Sequence, residues 1–455
     1  VQPGRDWLAL TYALLSIGAI PVLIDPGMGR KGVLRCIERI APRVFVGIPL
    51  AHVLRLLSPS SFRSVELAIT AGAPRLWSGA VLERLLPDHA DPFAPAEVDA
   101  EDEAAILFTS GSTGPAKGVV YTHGMFAAQR TALREMYAFR PDEVDLACLP
   151  LFALFAAHLE WTSVLPDLDF SRPATCDPAR IVAAIADHGV TNTFGSPAIW
   201  RRVAPWCAER GVRLESLRRL MLAGAPVPPR LVEACRALLG PDGDVHTPYG
   251  ATEALPVASA RGRDLLERHR KDTESGRGVC VGRPAPGVEL ALIRITDEPI
   301  EAWDEALRVR PGGRGEVCVK GSNVTAEYKF EPEHTAAAKI PDPPGGFWHR
   351  MGDVGRLDDE GNLWFLGRKS HRLETAKGLV MPVGLESVFD LADHVEKTAL
   401  VGVGPRGSER PMLVVKTPPG VLPRERVLRE RLAIDILRAG LWHPACSVVE
   451  GVLFR

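Results

Sequence analysis

Short apolar runs alternate with amphipathic stretches along the first half of the chain. The runs PVLID (21–25), VELAIT (65–70), AAILFTS (104–110), VDLACLPLF (144–152), VTNTFGS (190–196) and RRLMLAGA (218–225) have the length and branched content of buried strands. Between them lie stretches such as PARIVAAIADHG (178–189) and PPRLVEACRALLG (228–240), with apolar residues at helical spacing. A strand covered on both faces reads as a continuous apolar run, so this alternation predicts α/β units with parallel sheets. From about residue 276 the texture changes to short strands closed by glycine turns: GVELALIRI, GRGEVCVKG and GNLWFLGRKS. After Arg368, KTALVGVG, PMLVVKTPP and the helix RERVLRERLAIDILRAG predict a small α+β unit. The expected fold is therefore α/β. Residues 1–367 form a large domain of two doubly wound αβ subdomains plus a β-rich subdomain (276–367), and residues 368–455 a small lid.

The uncharged stretch WLALTYALLSIGAIPVLI (7–24) is long enough for a membrane span. Ser16, Gly18 and Pro21 interrupt it, so it parses better as a helix followed by a buried strand, and no cleavage site marks it as a signal peptide. With 54 Lys+Arg against 56 Asp+Glu, and no basic block, the chain lacks the charge pattern of a nucleic-acid binder. Its eight cysteines are scattered without C-x-x-C pairs or a metal-ligand rhythm, and read as buried thiols of a cytoplasmic protein.

The chemistry begins at TSGSTGPAKGV (109–119), a loop between the strand AAILF and a helix expected near Thr122. Backbone amides there can converge on an anion, and Thr109, Ser110, Ser112 and Thr113 add hydroxyl donors beside Gly111 and Gly114. A Walker loop needs Gly before its Lys and Ser or Thr after it, whereas Lys117 sits between Ala116 and Gly118. A flexible Gly/Ser connector is the plainer alternative.

Downstream follow LAGAP (222–226), YGATE (249–253), GDVGRLDDEGNLWFLGR (352–368) and LETAKG (373–378). In this order the five motifs resemble the adenylate-forming superfamily of acyl-CoA synthetases, luciferases and adenylation domains, across essentially the whole chain. The resemblance implies that residues 109–117 grip the β and γ phosphates of ATP. It places Gly224, Ala225 and Pro226 along the adenine, Tyr249 stacked on it, and Gly250, Ala251 and Thr252 near the α-phosphate. Glu253 would hold Mg²⁺, and Asp353 and Arg368 would meet the ribose. Lys117, Thr252 and Glu253 would then act during formation of an acyl-adenylate.

Other features resemble one branch, the β-lactone synthetases of long-chain olefin biosynthesis: PVLIDPGMGRKGVLRC, LPLFALF, GRKSHR and LVGVGPRG. By that resemblance the substrate is a 2-alkyl-3-hydroxy fatty acid whose own 3-hydroxyl attacks the activated carboxyl, and an assembly with other olefin-pathway enzymes is implied. Ala153 stands where the superfamily usually has a histidine or aromatic gate, and would leave room for a branched acyl group beside Phe155 and Phe194. Ser370 occupies the hinge and Gly384 replaces a usual glutamate, changes that point away from thioester formation. His371 and His158 are candidate bases for the hydroxyl. The superfamily's carboxyl-terminal Gly-Lys-x-x-Arg-like segment is not among these residues, so both ends of the natural protein are expected to lie outside them. The competing readings are a fatty acyl-AMP or acyl-CoA ligase and a non-catalytic nucleotide-binding scaffold.

Overall fold

The computed structural model describes residues 1–72, 79–85, 93–108 and 116–455. The stretch 7–24 is a helix, Arg5–Ser16, and then a strand, Val22–Leu23, as its interrupting residues implied. No helix among the described residues is long and apolar enough to cross a membrane. All eight cysteines are free and buried.

Twelve strands form the central sheet. Its parallel part runs from Thr162–Val164 through Val144–Ala147, Asn192–Gly195 and Arg219–Leu222 to Asp244–Ala251. Leu146, Ala147, Thr193, Leu220, Met221 and Leu222 in these strands are fully buried, the double coverage that their unbroken apolar runs implied. The helices that cover them start and stop on local signals. In Pro178–His188, Asp177 accepts the Ala179 N–H at 3.0 Å, Pro178 opens the first turn, and Gly189 closes the helix at φ 58°.

The sheet continues antiparallel through Ala254–Arg261, Val279–Pro284, Leu363–Arg368, Phe347–Leu357, Arg314–Lys320 and Glu289–Ile293, with Lys339–Pro341 paired to Phe347–Leu357. The strands of the β-rich stretch thus extend the central sheet. Two three-stranded sheets stand beside it. One is parallel, Val44–Gly47, Leu67–Thr70 and Ala80–Val81; the other joins Val22–Leu23 in parallel to Glu103–Phe108, which pairs antiparallel with Gly118–Thr122.

The helix expected near Thr122 is His123–Tyr137, with Thr122 as its N-cap, and it is preceded by a strand that was not expected, Gly118–Thr122, paired antiparallel with Glu103–Phe108. Val119, Val120 and Tyr121 are buried, which favours a strand in a segment too short to show its period.

The carboxyl-terminal elements have a core of their own, with Phe389, Leu413, Val415 and Ile436 at 0–1% exposure. The strands Lys397–Val403, Arg410–Lys416 and Gly451–Phe454 form its sheet, and Pro382–Phe389 and Arg426–Gly440 are its helices. It meets the rest of the molecule closely. A β-carbon at Gly384 would lie 2.3 Å from the Gly276 carbonyl oxygen, and Arg230 donates to the carbonyls of Asp390 and Glu396 at 3.1 and 3.2 Å.

Candidate active site

One large cavity of about 3060 Å³ opens where the central sheet, the hairpin and the carboxyl-terminal unit converge. At one end it is polar, lined by Lys117, Thr252, Glu253, Asp353, Arg368, Ser370 and His371; away from these it is walled by apolar side chains including Leu10, Leu14, Phe45, Phe152, Phe155 and Phe194. Thr109, Ser110, Gly111, Ser112, Thr113 and Gly114 lie outside the described residues.

Asp353 is the most heavily engaged acid of the polar end. It is 2% exposed, its Oδ2 accepts the Tyr249 hydroxyl at 2.5 Å, and Arg368 approaches Oδ1 at 2.9 Å. Arg368 thus covers Oδ1 while the phenol holds Oδ2, so both oxygens of the buried carboxylate are engaged. Burial pushes the Asp353 carboxyl up to about 6, against the pull of Arg368. A buried carboxylate that lines the cavity, held in place by a phenol and a guanidinium, can accept from an incoming hydroxyl.

Tyr249 lies near the end of the strand Asp244–Ala251, whose register slips between Tyr249 and Ala251. The bulge turns the next residues toward the cavity. Gly250 permits it, since a β-carbon there would lie 2.7 Å from the Ala254 carbonyl oxygen. Gly250, Ala251, Thr252 and Glu253 all line the cavity as a result, and Gly224, Ala225 and Pro226 join them from the end of Arg219–Leu222, with Gly224 at φ 92°.

The Thr252–Glu253 turn is held by two phenols that sequence reasoning missed. Tyr121 donates to the Thr252 carbonyl at 2.5 Å and Tyr328 donates to Glu253 Oε1 at 2.8 Å. Burial first, and the Glu253 charge second, push the Tyr328 hydroxyl far above its ordinary range, so it remains a donor. Lys339 was missed as well. It is buried, donates to the Thr325 carbonyl and hydroxyl, and burial pushes its ammonium down to about 7. Thr325 in turn donates its N–H to the Glu253 carbonyl at 2.9 Å. His349 lines the cavity together with Arg350, Met351, Gly352 and Asp353 of the same strand, so no alternation marked it in the sequence. For Tyr328 and Lys339 no local pattern signals a role, because tertiary packing alone brings them to Glu253.

The acyl-pocket expectations divide. Phe155 and Phe194 line the cavity, and Phe152, which the motif did not single out, stacks on Phe194 with ring centroids 4.2 Å apart. Ala153 is 0% exposed and is not on the cavity wall. The tight turn Pro150–Phe155 directs Phe152 and Phe155 to the cavity and leaves Ala153 in the interior, so the position read from the motif as a gate does not line the cavity. Of the two candidate bases, His371 lines the cavity, whereas His158 does not and sits against Tyr12 with ring centroids 6.5 Å apart.

A mixed sheet followed by a compact α+β unit, with the polar end of a large cavity where they meet, is the architecture of the adenylate-forming enzymes. Residues 1–329 match the AMP-binding enzyme family, and the chain belongs to it. It is an ATP-dependent adenylate-forming ligase. Over 97% of its length it is 44% identical to the olefin β-lactone synthetase of Stenotrophomonas maltophilia, of which it covers 81%. The olefin β-lactone synthetase of Xanthomonas campestris pv. campestris is 43% identical over 92% of this chain and 76% of that protein. Among solved structures, the amide bond synthetase McbA from Marinactinospora thermotolerans superposes with a TM-score of 0.79 at 25% identity, covering all of this chain and 86% of that one.

Proposed function

We propose that this ligase is a β-lactone synthetase of long-chain olefin biosynthesis, acting on a 2-alkyl-3-hydroxy fatty acid. The observation that carries the reading is the 44% identity, over 97% of the chain, to a protein of that activity. The cavity supports it, because its 3060 Å³ far exceeds the roughly 300–1,000 Å³ of common small-ligand pockets and its walls are largely apolar. Two alkyl tails and a nucleotide need such space.

In this reading the carboxylate oxygen bonds to the α-phosphorus as the bond to pyrophosphate breaks. Lys117 and the loop 109–117 meet the charge leaving with the β and γ phosphates, and Thr252 faces the α-phosphate. The adenine lies along Gly224, Ala225, Pro226 and Tyr249, and the ribose hydroxyls reach Asp353 and Arg368. The 3-hydroxyl oxygen then bonds to the acyl carbon, the bond to AMP breaks, and His371 takes the hydroxyl proton. Because both reacting groups belong to one molecule, orientation by the apolar walls replaces a second binding event.

Mg²⁺ is assigned to Glu253. Among the described residues no cluster of three or more His, Cys, Asp or Glu side chains is arranged to hold a metal. A single hard carboxylate suits magnesium, which is usually held by one or two carboxylates together with substrate phosphates. When bound it supplies charge neutralisation to the triphosphate. Residues 368–455 are taken as a lid that turns about Ser370 over the remaining 1–367, and the enzyme is placed in the cytoplasm alongside other olefin-pathway enzymes.

The test is product analysis. With ATP and a syn-2-alkyl-3-hydroxy acid, a β-lactone, AMP and pyrophosphate are expected without CoA. A thioester that forms only with CoA, and no lactone, would instead make it an acyl-CoA ligase.

A further inference from the structure

The segment 324–329 is stitched to both sides of the polar end of the cavity. Val324 bridges Ala254 and Thr325 donates to the Glu253 carbonyl, while Tyr328 bridges Val119 and Lys329 donates its N–H to the Gly118 carbonyl at 2.7 Å. It therefore spans the gap between the strand that follows Lys117 and the turn that carries Glu253. Tyr328 sits toward its end, 5% exposed, with its hydroxyl 2.8 Å from Glu253 Oε1 and its ring centroid 4.8 Å beneath the Lys117 ammonium. Among the described residues no donor is hydrogen-bonded to Oε2 of Glu253. A single side chain thus touches the lysine of the phosphate loop with its face and the acidic residue of the turn with its edge.

We infer that Tyr328 is a positioning residue for adenylation, fixing one oxygen of Glu253 so that the other is presented to the nucleotide-bound cation, and setting the approach of Lys117 to the phosphates. The inference rests on the assignment of the cation to Glu253. The two contacts are separable because the hydroxyl serves the carboxylate and the ring serves the ammonium. Removing only the hydroxyl should loosen the cation, and removing the ring should loosen the nucleotide as well.

The experiment measures Mn²⁺ binding by electron paramagnetic resonance, with ATP bound to the full chain, and ATP affinity without divalent cation. In Tyr328→Phe, Mn²⁺ affinity is expected to fall about tenfold, the scale of one hydrogen bond to a charged group, with metal-free ATP affinity unchanged. Tyr328→Leu should add a loss of about threefold in metal-free ATP affinity, from the missing cation–π contact. Glu253→Gln should weaken Mn²⁺ at least as much as Tyr328→Phe, and the double variant should be no weaker than Glu253→Gln alone. Wild-type Mn²⁺ binding in Tyr328→Phe, beside a weakened Glu253→Gln, overturns the inference and leaves the cation assignment standing. Equal losses with and without metal in Tyr328→Phe also overturn it, since they would mark a merely structural role. If neither variant moves Mn²⁺ binding, the assignment to Glu253 fails and the inference with it.

Discussion

Tyr249 and Asp353 touch through a 2.5 Å hydrogen bond, although three strands stand between theirs in the order of the central sheet. Four ladder steps of about 4.8 Å would hold them roughly 19 Å apart on a flat sheet. The sheet is therefore coiled back on itself at this point, and the coil brings the two residues together on one cavity wall.

The Asp353 carboxyl, raised to about 6 by burial, gives a pH dependence of definite sign. Its folded-state value lies above its unfolded one, so its contribution to apo-protein stability is fully present below the unfolded value of about 4 and is lost as pH rises through about 6. As an acceptor for two hydroxyls it is strongest when ionised. ATP affinity should fall as pH drops below about 6, and Asp353→Asn should lose about tenfold or more of that affinity and flatten the pH profile. The same variant should melt no lower than wild type at pH 8, as calorimetry without nucleotide will show.

Gly384 has no room for a side chain against Gly276, where a β-carbon would lie only 2.3 Å from backbone oxygen. Gly384→Ala should cost about 1–3 kcal/mol, the scale of overpacking, and loosen the contact of helix Pro382–Phe389 with the large unit. Limited proteolysis should then cut faster between residues 369 and 381.

Glu316 is 1% exposed and lies 2.7 Å from Arg350 and 2.9 Å from Lys369, which precedes Ser370. Lys369→Met leaves half of a buried carboxylate unpaired and should destabilise by about 3 kcal/mol in denaturant unfolding. Glu316→Gln in the same chain should recover part of that loss, and a double-mutant cycle gives the coupling.

Ala153→His tests the gate directly. Because Ala153 is 0% exposed and off the cavity wall, the larger ring should cost about 1–3 kcal/mol of stability and leave acyl-chain preference unchanged. Phe194→Ala, which opens the stacked wall with Phe152, should shift kcat/KM toward bulkier acyl groups.

The alternation of buried strands and covering helices, the helix-then-strand parse of residues 7–24 and the adenylating motifs were all legible along the chain. Those features are local: a doubly covered strand needs an apolar run, and a turn such as YGATE needs glycine where a β-carbon would meet the next backbone. The hairpin strand Gly118–Thr122 escaped because five residues carry too little period to separate from the helix that follows. Which side of Pro150–Phe155 faces the cavity was settled by packing, since a tight turn has no periodicity to orient its side chains. Packing also brought Tyr328 to Glu253, 75 residues away along the chain, and Tyr249 to Asp353, 104 residues away. Contacts of that range depend on how the sheet coils, a property of all its strands together that no single stretch of sequence encodes.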